Sequence, residues 1–244
     1  MKIIQVSGVR LIQSSLLAAA GCVHAFGTVD LGSRPGPTRQ KIMELFPAIH
    51  EAATIRQVHG RRAVAVRGGG DVAGLRRTQA DIMVTEARGI ALAARTADCA
   101  PILILDPRRR VAAAVHAGWR GTAARVAAAA VEALAEHYGS RPADLLAAIG
   151  PCIQPCHYQV DEPVIAAMKD ALGSRADLVL APDGPGKARL DLSLANRIVL
   201  ESAGALPGRL EAAKWCTYDE AGLFFSYRRQ GQGVPSLYHF IALV

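Results

Sequence analysis

The pattern that most constrains the fold of this chain is a strand–turn–strand–helix sequence in residues 98–139. The segment PILIL (101–105) is a continuous apolar run, as expected for a strand buried on both faces. A turn rich in arginine (106–110) separates it from a second apolar run, VAAAV (111–115), which ends at His116. Two adjacent buried strands predict an antiparallel hairpin inside a covered sheet.

The segment after His116 predicts a change from strand to helix. The sequence AGWRGT (117–122) supplies a glycine-flanked bend, and Thr122 is expected to cap one alanine-rich helix that ends at Gly139. Strand and helix signals recur along the chain without repeats or a clear linker. We therefore predict an α/β (α+β) fold, a single-domain layered sandwich over residues 1–244 with mixed β-sheets flanked by helices. The predicted strands are 63–67, 81–85, 90–95, 101–105, 111–115, 145–149 and 237–243, and the predicted helices are 37–46, 122–138, 161–172 and 191–204.

The composition narrows the classes of partner. The net charge is +7, but the cations are scattered in short groups and no nucleic-acid-reading motif accompanies them. We therefore expect no nucleic acid and interpret the charge as suited to an anionic small substrate. No apolar run is long enough to span a membrane, so no membrane partner is expected. The sequence does not indicate an oligomeric state.

The cysteines and the N-terminus bear on the compartment. Five cysteines form an odd count, which favours a reducing compartment over a disulfide framework. Residues 11–22 are apolar and end at Cys22, but polar residues interrupt the run and no linker follows it. We interpret this segment as part of the domain and expect a cytoplasmic protein.

Three residues of types that bind metals lie at turns or strand ends, namely His59, Cys99 and His116. In a hairpin of 101–105 with 111–115, the start of one strand faces the end of the other, so Cys99 and His116 become neighbours. Two imidazoles and one thiolate suit zinc, and three protein ligands leave a fourth position for water or substrate. Taken singly, each residue is better explained as a buried thiol or a hydrogen-bonded imidazole.

Two charged residues near this group are candidate catalytic residues. Arg120 lies in the bend before the predicted helix, where the backbone N–H groups of residues 118–122 could bind an anion such as phosphate. An ordinary strand-to-helix turn explains the same glycines. Asp98 precedes Cys99 and is expected to point to the other side of a strand, where it would orient the site or act as an acid or base.

A second group of potential ligands occurs in GPCIQPCHYQV (150–160). Cys152 and Cys156 are flanked by prolines, and His157 follows directly. We interpret this segment as a rigid loop with buried thiols rather than as a second metal site.

The same segments resemble the signature blocks of a known family. The blocks are RQVHG, ADIMVT, TADCAPILILD, AAVHAGWRGT, AIGPCIQPCHYQV, DLSLAN and CTYDEAGLFFSYRRQG. In that order they are similar to the multicopper polyphenol oxidoreductase (laccase-domain) family, also called the peptidoglycan editing factor family. The resemblance runs from about residue 22 to the C-terminus. It implies a cytoplasmic α/β fold, a zinc ion on His59, Cys99 and His116, and purine nucleoside phosphorylase activity. Adenosine deaminase and methylthioadenosine phosphorylase activities in the same site are implied as well.

The chain departs from this family at two places. An arginine usually follows the His-Gly-Phe block, where this chain has Val29, with Arg34 as a candidate substitute. The C-terminal block usually continues to Thr-Gly-Arg, where this chain reads GQGVPSLYHF, including Gly233. Substrate contacts at these two places are therefore not predicted.

Four other functions are weighed against the same residues, and one of them is excluded. A conventional multicopper oxidase is excluded, because the chain has seven histidines and no His-x-His pair. A single copper ion on the same three ligands, with Met83 as axial ligand, would make a single-copper oxidoreductase. A metal-free hydrolase or deamidase would use Cys99 as nucleophile and His116 as base, and would not need His59. A non-enzymatic zinc-binding partner of cell-wall enzymes is suggested only by the family's second name.

Overall fold

The computed structural model describes residues 1–68 and 72–244. Its strands are β1 (Lys2–Val6), β2 (Val9–Gln13), β3 (Val23–Gly27), β4 (Glu51–Ala53), β5 (Ala63–Ala65), β6 (Ile82–Thr85), β7 (Ile90–Thr96), β8 (Ala100–Asp106), β9 (Val111–Ala117), β10 (Leu146–Ile149), β11 (Gln159–Asp161), β12 (Leu180–Pro182), β13 (Lys187–Leu190), β14 (Leu210–Ala212) and β15 (Leu237–Ala242). Its α-helices are α1 (Ser15–Ala19), α2 (Pro35–Leu45), α3 (Val72–Leu75), α4 (Trp119–Ala123), α5 (Val126–Tyr138), α6 (Glu162–Leu172), α7 (Leu192–Ser202) and α8 (Tyr227–Gln230). Short 3-10 helices cover Val29–Leu31, Pro142–Asp144, Gly173–Leu178 and Pro207–Arg209.

The strands form two six-stranded sheets and one small sheet. The strand orders are β1-β2-β3-β15-β7-β4, β14-β10-β8-β9-β6-β5 and β11-β13-β12. Most neighbours are antiparallel, whereas β4–β7, β5–β6 and β10–β14 are parallel. The two large sheets are therefore mixed, which confirms the predicted class of fold.

The hydrophobic core lies in layers on either side of these sheets. Phe26 and Ile241 of the first large sheet share one buried cluster with Leu103 and Ala114 of the second, so the sheets pack face to face. The outer face of the second sheet is covered mainly by α5, α6 and α7, which share its buried cluster. The outer face of the first sheet packs against α2 through residues such as Ile42. The architecture is a helix-flanked sandwich of sheets.

The central hairpin forms as predicted. Strands β8 and β9 are antiparallel and wholly buried, and Pro101 pairs with His116. The side chain of Asp106 accepts hydrogen bonds from the backbone N–H groups of Arg108 and Arg109, which closes the turn. This register brings the residue before β8 next to the end of β9.

The prediction of one helix over 122–138 is wrong. The segment forms two helices, α4 and α5, separated at Arg125, whose φ of 60° lies in the left-handed region. Thr122 is inside α4 and its hydroxyl accepts a hydrogen bond from Asn196 (2.9 Å) instead of capping a helix. No glycine or proline lies at the break. We attribute it to tertiary contacts, which can override local helix propensity.

The other predicted elements are confirmed to within about two residues at each end. The N-terminal strands were not predicted. Residues 11–22 contribute to β2 and α1, and Leu11, Ile12 and Leu17 are fully buried, so this segment is built into the packed domain. No helix in the described part of the chain combines the length and apolarity needed to cross a bilayer.

Candidate metal centre and its cavity

The structure brings His59, Cys99 and His116 together. His59 lies in the loop between β4 and β5, Cys99 directly precedes β8, and His116 is near the end of β9. Their potential ligand atoms all lie within 4.8 Å of one another. The two imidazole rings meet edge to face, with centroids 4.7 Å apart. His116 is buried while His59 is exposed, so the group lies between the protein core and the solvent.

Asp81 holds two of the three residues in place. Its Oδ1 lies 2.8 Å from Nδ1 of His116, which leaves Nε2 as the ring nitrogen available for a metal. The same carboxylate accepts hydrogen bonds from the backbone N–H groups of His59 (3.0 Å) and Gly60 (2.7 Å). These bonds support the left-handed backbone of His59, whose φ is 59°. Sequence reasoning assigned Asp81 only to a strand. A carboxylate at the start of an otherwise apolar strand was the available signal.

The half-buried Cys99 and the buried His116 have shifted pKa values. Burial acts to raise the pKa of Cys99, but the charge of His116 and hydrogen bonds from His116 and His59 lower it to about 6. Burial acts to lower the pKa of His116, but the charge of Cys99 and hydrogen bonds with Asp81 and Cys99 raise it to about 9. The metal-free site therefore favours a thiolate beside an imidazolium at neutral pH. A thiolate is the form of cysteine that binds metals.

Gly118 leaves the space in front of the three side chains open. A Cβ atom at this position would lie 2.7 Å from Nδ1 of His59 and 2.9 Å from Sγ of Cys99. Such distances are shorter than van der Waals contact, so only glycine is compatible with this arrangement. The donor set and the space left for it fit a metal ion.

A cavity of about 680 Å³ opens over this group. Three arginines line it, namely Arg95, Arg120 and Arg228. Aromatic side chains of Trp119, Tyr158 and Tyr227 contribute apolar surface. The aromatic side chains suit the aromatic ring of a ligand, and the arginines suit an anionic group on it or beside it.

Arg120 is exposed and its guanidinium lies 4.3 Å from the centre of the Trp119 ring. The helix it belongs to, α4, has only five residues, and Gly118 precedes it without a side-chain cap. The N–H group of Thr122 donates to the carbonyl of Gly118 (2.8 Å), so it is not free to bind an anion as predicted. The exposed guanidinium of Arg120 is a further group that could bind an anion here.

Asp98 is buried and faces the C-terminal segment. Its φ of 85° places it in a turn before β8 instead of in a strand, so the expectation of alternating strand faces is wrong. Its carboxylate accepts hydrogen bonds from the hydroxyl groups of Thr217 (2.6 Å) and Ser226 (3.0 Å) and from the N–H of Arg228 (2.6 Å). Because both oxygens are engaged, the geometry favours the orienting role over that of an acid or base.

The two departures from the family pattern differ in position. Gly233 lines the cavity, so the altered C-terminal block borders the site. Val29 and Arg34 are not among the described residues that line it. Met83 also lies outside this lining and is buried in the cluster between the two large sheets, which weakens the hypothesis of an axial copper ligand.

The predicted loop with two buried thiols is only half right. Cys152 is buried, whereas Cys156 is exposed. The N–H of His157 donates to the carbonyl of Gln154 (3.0 Å), and this turn carries Cys156 outward. Cys156 belongs instead to a second group of potential ligands, with His157, Cys216 and Asp219.

The chain is similar in sequence to proteins of a known family. Residues 33–243 match the sequence model of the family described as multi-copper polyphenol oxidoreductase laccase. A purine nucleoside phosphorylase of Deinococcus radiodurans is 34% identical over 92% of this chain and 85% of its own length. Adenosine deaminase RL5, from an unknown prokaryotic organism, is 38% identical over 62% of this chain. That alignment spans little more than half of the relative, 57% of its length.

The fold has a counterpart of known structure. The crystal structure of the Bacillus licheniformis hypothetical protein YfiH superposes with a TM-score of 0.86 and 30% sequence identity. The superposition covers 96% of each chain.

Proposed function

This chain belongs to the multi-copper polyphenol oxidoreductase laccase family, and on that premise we propose that it is a zinc-dependent purine nucleoside phosphorylase. The proposed substrates are adenosine and inosine with phosphate, and the proposed additional activities are adenosine deaminase and methylthioadenosine phosphorylase. The observation that carries the proposal is the group of His59, Cys99 and His116 at the base of an arginine-lined cavity. The names of two relatives, a purine nucleoside phosphorylase and an adenosine deaminase, support it.

Zinc is the metal that the donor set favours. Two imidazoles and one thiolate are typical zinc ligands, and three protein ligands leave one position open for chemistry. A type 1 copper site would need a weak axial ligand, and Met83 lies in the hydrophobic core. We therefore expect copper to bind the same residues without producing a laccase.

The proposed roles of the residues follow from their positions. Zinc supplies Lewis-acid activation of water near neutral pH, which is the chemistry that replacement of the amino group of adenosine requires. Asp81 holds His116 in the tautomer with Nε2 available. Asp98 fixes the segment that carries Arg228. Arg120 is proposed to hold phosphate against C1′ of the ribose, where phosphorolysis breaks the glycosidic bond.

A metal-free Cys–His hydrolase remains the second candidate, because Cys99 and His116 also form the thiolate–imidazolium pair of such enzymes. His59 separates the two functions. Its imidazole lies against the same thiol, where a metal needs it and a Cys–His hydrolase does not.

We further infer that residues 1–244 form a single laccase-type domain and that the protein is cytoplasmic. All five cysteines are free, which fits a reducing compartment.

Product analysis tests the proposed function. We expect inosine to give hypoxanthine and ribose 1-phosphate only when phosphate is present, whereas adenosine should give inosine and ammonia in water alone.

The substitution Arg120→Ala should reduce the phosphorolytic rate about tenfold or more and the deamination rate less, because it removes a charged hydrogen-bond donor from phosphate. Arg108→Ala, at an exposed turn outside this cavity, is the matched control. Equal losses in both reactions would contradict the proposed role of Arg120, and absence of both reactions in zinc-loaded protein would contradict the function.

A further inference from the structure

Two loops on the surface bring a second set of metal-binding side chains together. Cys156 and His157 come from the loop before β11, and Cys216 and Asp219 come from the loop after β14. Their potential ligand atoms all lie within 4.8 Å of one another, and none of them belongs to the group at the base of the cavity. We propose that Cys156, His157, Cys216 and Asp219 form a second, closed binding site for a zinc-type divalent cation.

The distances within the group are close to those that a tetrahedral ion requires. Sγ of Cys156 lies 3.4 Å from Oδ2 of Asp219, and Nδ1 of His157 lies 3.2 Å from Oδ1 of the same residue. Neighbouring ligands around zinc are separated by roughly 3.3–3.8 Å, given bond lengths of about 2.0–2.3 Å. Cys216 and Asp219 are separated by two residues, a spacing that structural zinc sites show mainly between two cysteines.

One ligand atom is left without a hydrogen bond. Among the described residues, Nδ1 of His157 is buried and makes no hydrogen bond, and Oδ1 of Asp219 lies 3.2 Å away, within ion-pair distance if the ring is protonated. Buried polar atoms without a partner are uncommon in folded proteins. A cation bound between the two loops would provide that partner.

The loops are already held in position. Residues Cys152 and Cys216 form an isolated parallel bridge, and the N–H of Thr217 donates to the carbonyl of Cys152 (3.2 Å). The ring of Tyr218 stacks on that of His157, with centroids 4.1 Å apart and planes within 10°. Such a preformed arrangement lowers the cost of ordering the ligands when the ion binds.

The charges of the donors favour a divalent cation. Binding would release the two thiol protons to solvent and give two thiolates, one carboxylate and one neutral imidazole around the ion. The set has four protein ligands, so no position remains open for substrate, and its role would be structural. Thr217, which follows Cys216, donates to Asp98 beside the first site, so an ion here would also steady that contact.

Metal stoichiometry tests this proposal. The metal-free full chain is prepared with a chelator and a non-thiol reductant. It is then titrated with cobalt(II), and binding is measured from the thiolate-to-cobalt absorption. A separate metal-free sample is loaded with zinc, and its bound zinc is counted after gel filtration. We expect about two ions per chain in the wild type and about one in Cys156→Ser and in Asp219→Asn. The control Glu220→Gln, an exposed neighbour outside the group, should keep two.

A second variant separates this site from the first. Cys99→Ala removes a ligand of the cavity group only, so it should keep about one cobalt ion, with absorption typical of two thiolates. Loss of all metal in Cys99→Ala would overturn the proposal, as would wild-type stoichiometry in Cys156→Ser and Asp219→Asn. A Cys156–Cys216 disulfide, found by mass spectrometry in protein purified under the reductant, would also overturn it.

Discussion

The carboxylate of Asp81 lies 2.8 Å from Nδ1 of His116 and also binds the backbone N–H of His59. One side chain therefore fixes the ring orientation of one proposed ligand and the loop that carries another. Asp81 directly precedes β6, the strand that pairs with β9. The proposed metal centre depends on the pairing of these two strands as much as on its three ligands.

Replacing Asp81 by asparagine should weaken zinc binding without removing a ligand. The amide of Asp81→Asn would keep the size of the side chain but lose the charge that holds Nδ1–H of His116, so we expect zinc affinity to fall about 10–100-fold. Competition with a chromophoric chelator measures this change. Asp30→Asn, which breaks a surface ion pair with Arg10, should leave the affinity unchanged. Unchanged affinity in Asp81→Asn would show that the hydrogen bond does not support the metal.

Adding a methyl group at Gly118 should disturb the ligands themselves. The new Cβ would approach His59 and Cys99 to within 3 Å, so one of them must move. Because overpacking costs about 1–3 kcal/mol, we expect zinc affinity to fall about 5–150-fold. Isothermal titration of the metal-free protein measures it. Gly222→Ala, where no atom lies within 4 Å of the new Cβ, is the control, and equal affinities in both variants would contradict the account.

The sequence was sufficient to predict the centre of the molecule. The short apolar runs 101–105 and 111–115, separated by a turn, favour a buried hairpin, and a hairpin places Cys99 near His116. The three candidate ligands therefore come together as the sequence analysis expected, with His59 brought in by a loop whose path the pattern alone did not show.

Features that depend on contacts between distant segments were not predictable. The break at Arg125 has no local signal, and the spacing around Cys156 and His157 does not show that Cys216 and Asp219 lie beside them. Its position next to Cys99 predicts that Asp98 points to the other side of a strand, but its bonds to Thr217 and Ser226 hold it in a turn. Sequence spacing describes the elements, whereas long-range hydrogen bonds decide where the polar side chains point.

The ionisation of Cys99 should be visible in the metal-free protein. Its pKa is lowered to about 6, so the side chain is mainly a neutral thiol below that pH and mainly a thiolate above it. We expect the rate of alkylation by iodoacetamide to rise between about pH 5 and 7, earlier than for an ordinary thiol with a pKa of about 8.5. Peptide mapping by mass spectrometry assigns the rate to Cys99.

The exposed Cys156 provides an internal contrast. Desolvation and the neighbouring Cys216 and Asp219 raise its pKa to about 12, so it should remain slow over the same range. A midpoint for Cys99 above about pH 8 would contradict the ion pair with His116.

Two measurements on the same preparations of wild type and His59→Ala test the zinc mechanism most directly, namely zinc content and nucleoside turnover. If His59 is a metal ligand, the variant should lose the zinc of the cavity group, about one ion per chain, and its turnover of inosine with phosphate and of adenosine should fall by at least about a hundredfold. Chelation of the wild type should have the same effect, and added zinc should restore it. Full turnover by metal-free wild type and by His59→Ala would contradict the zinc mechanism and leave Cys99 and His116 as a Cys–His hydrolase.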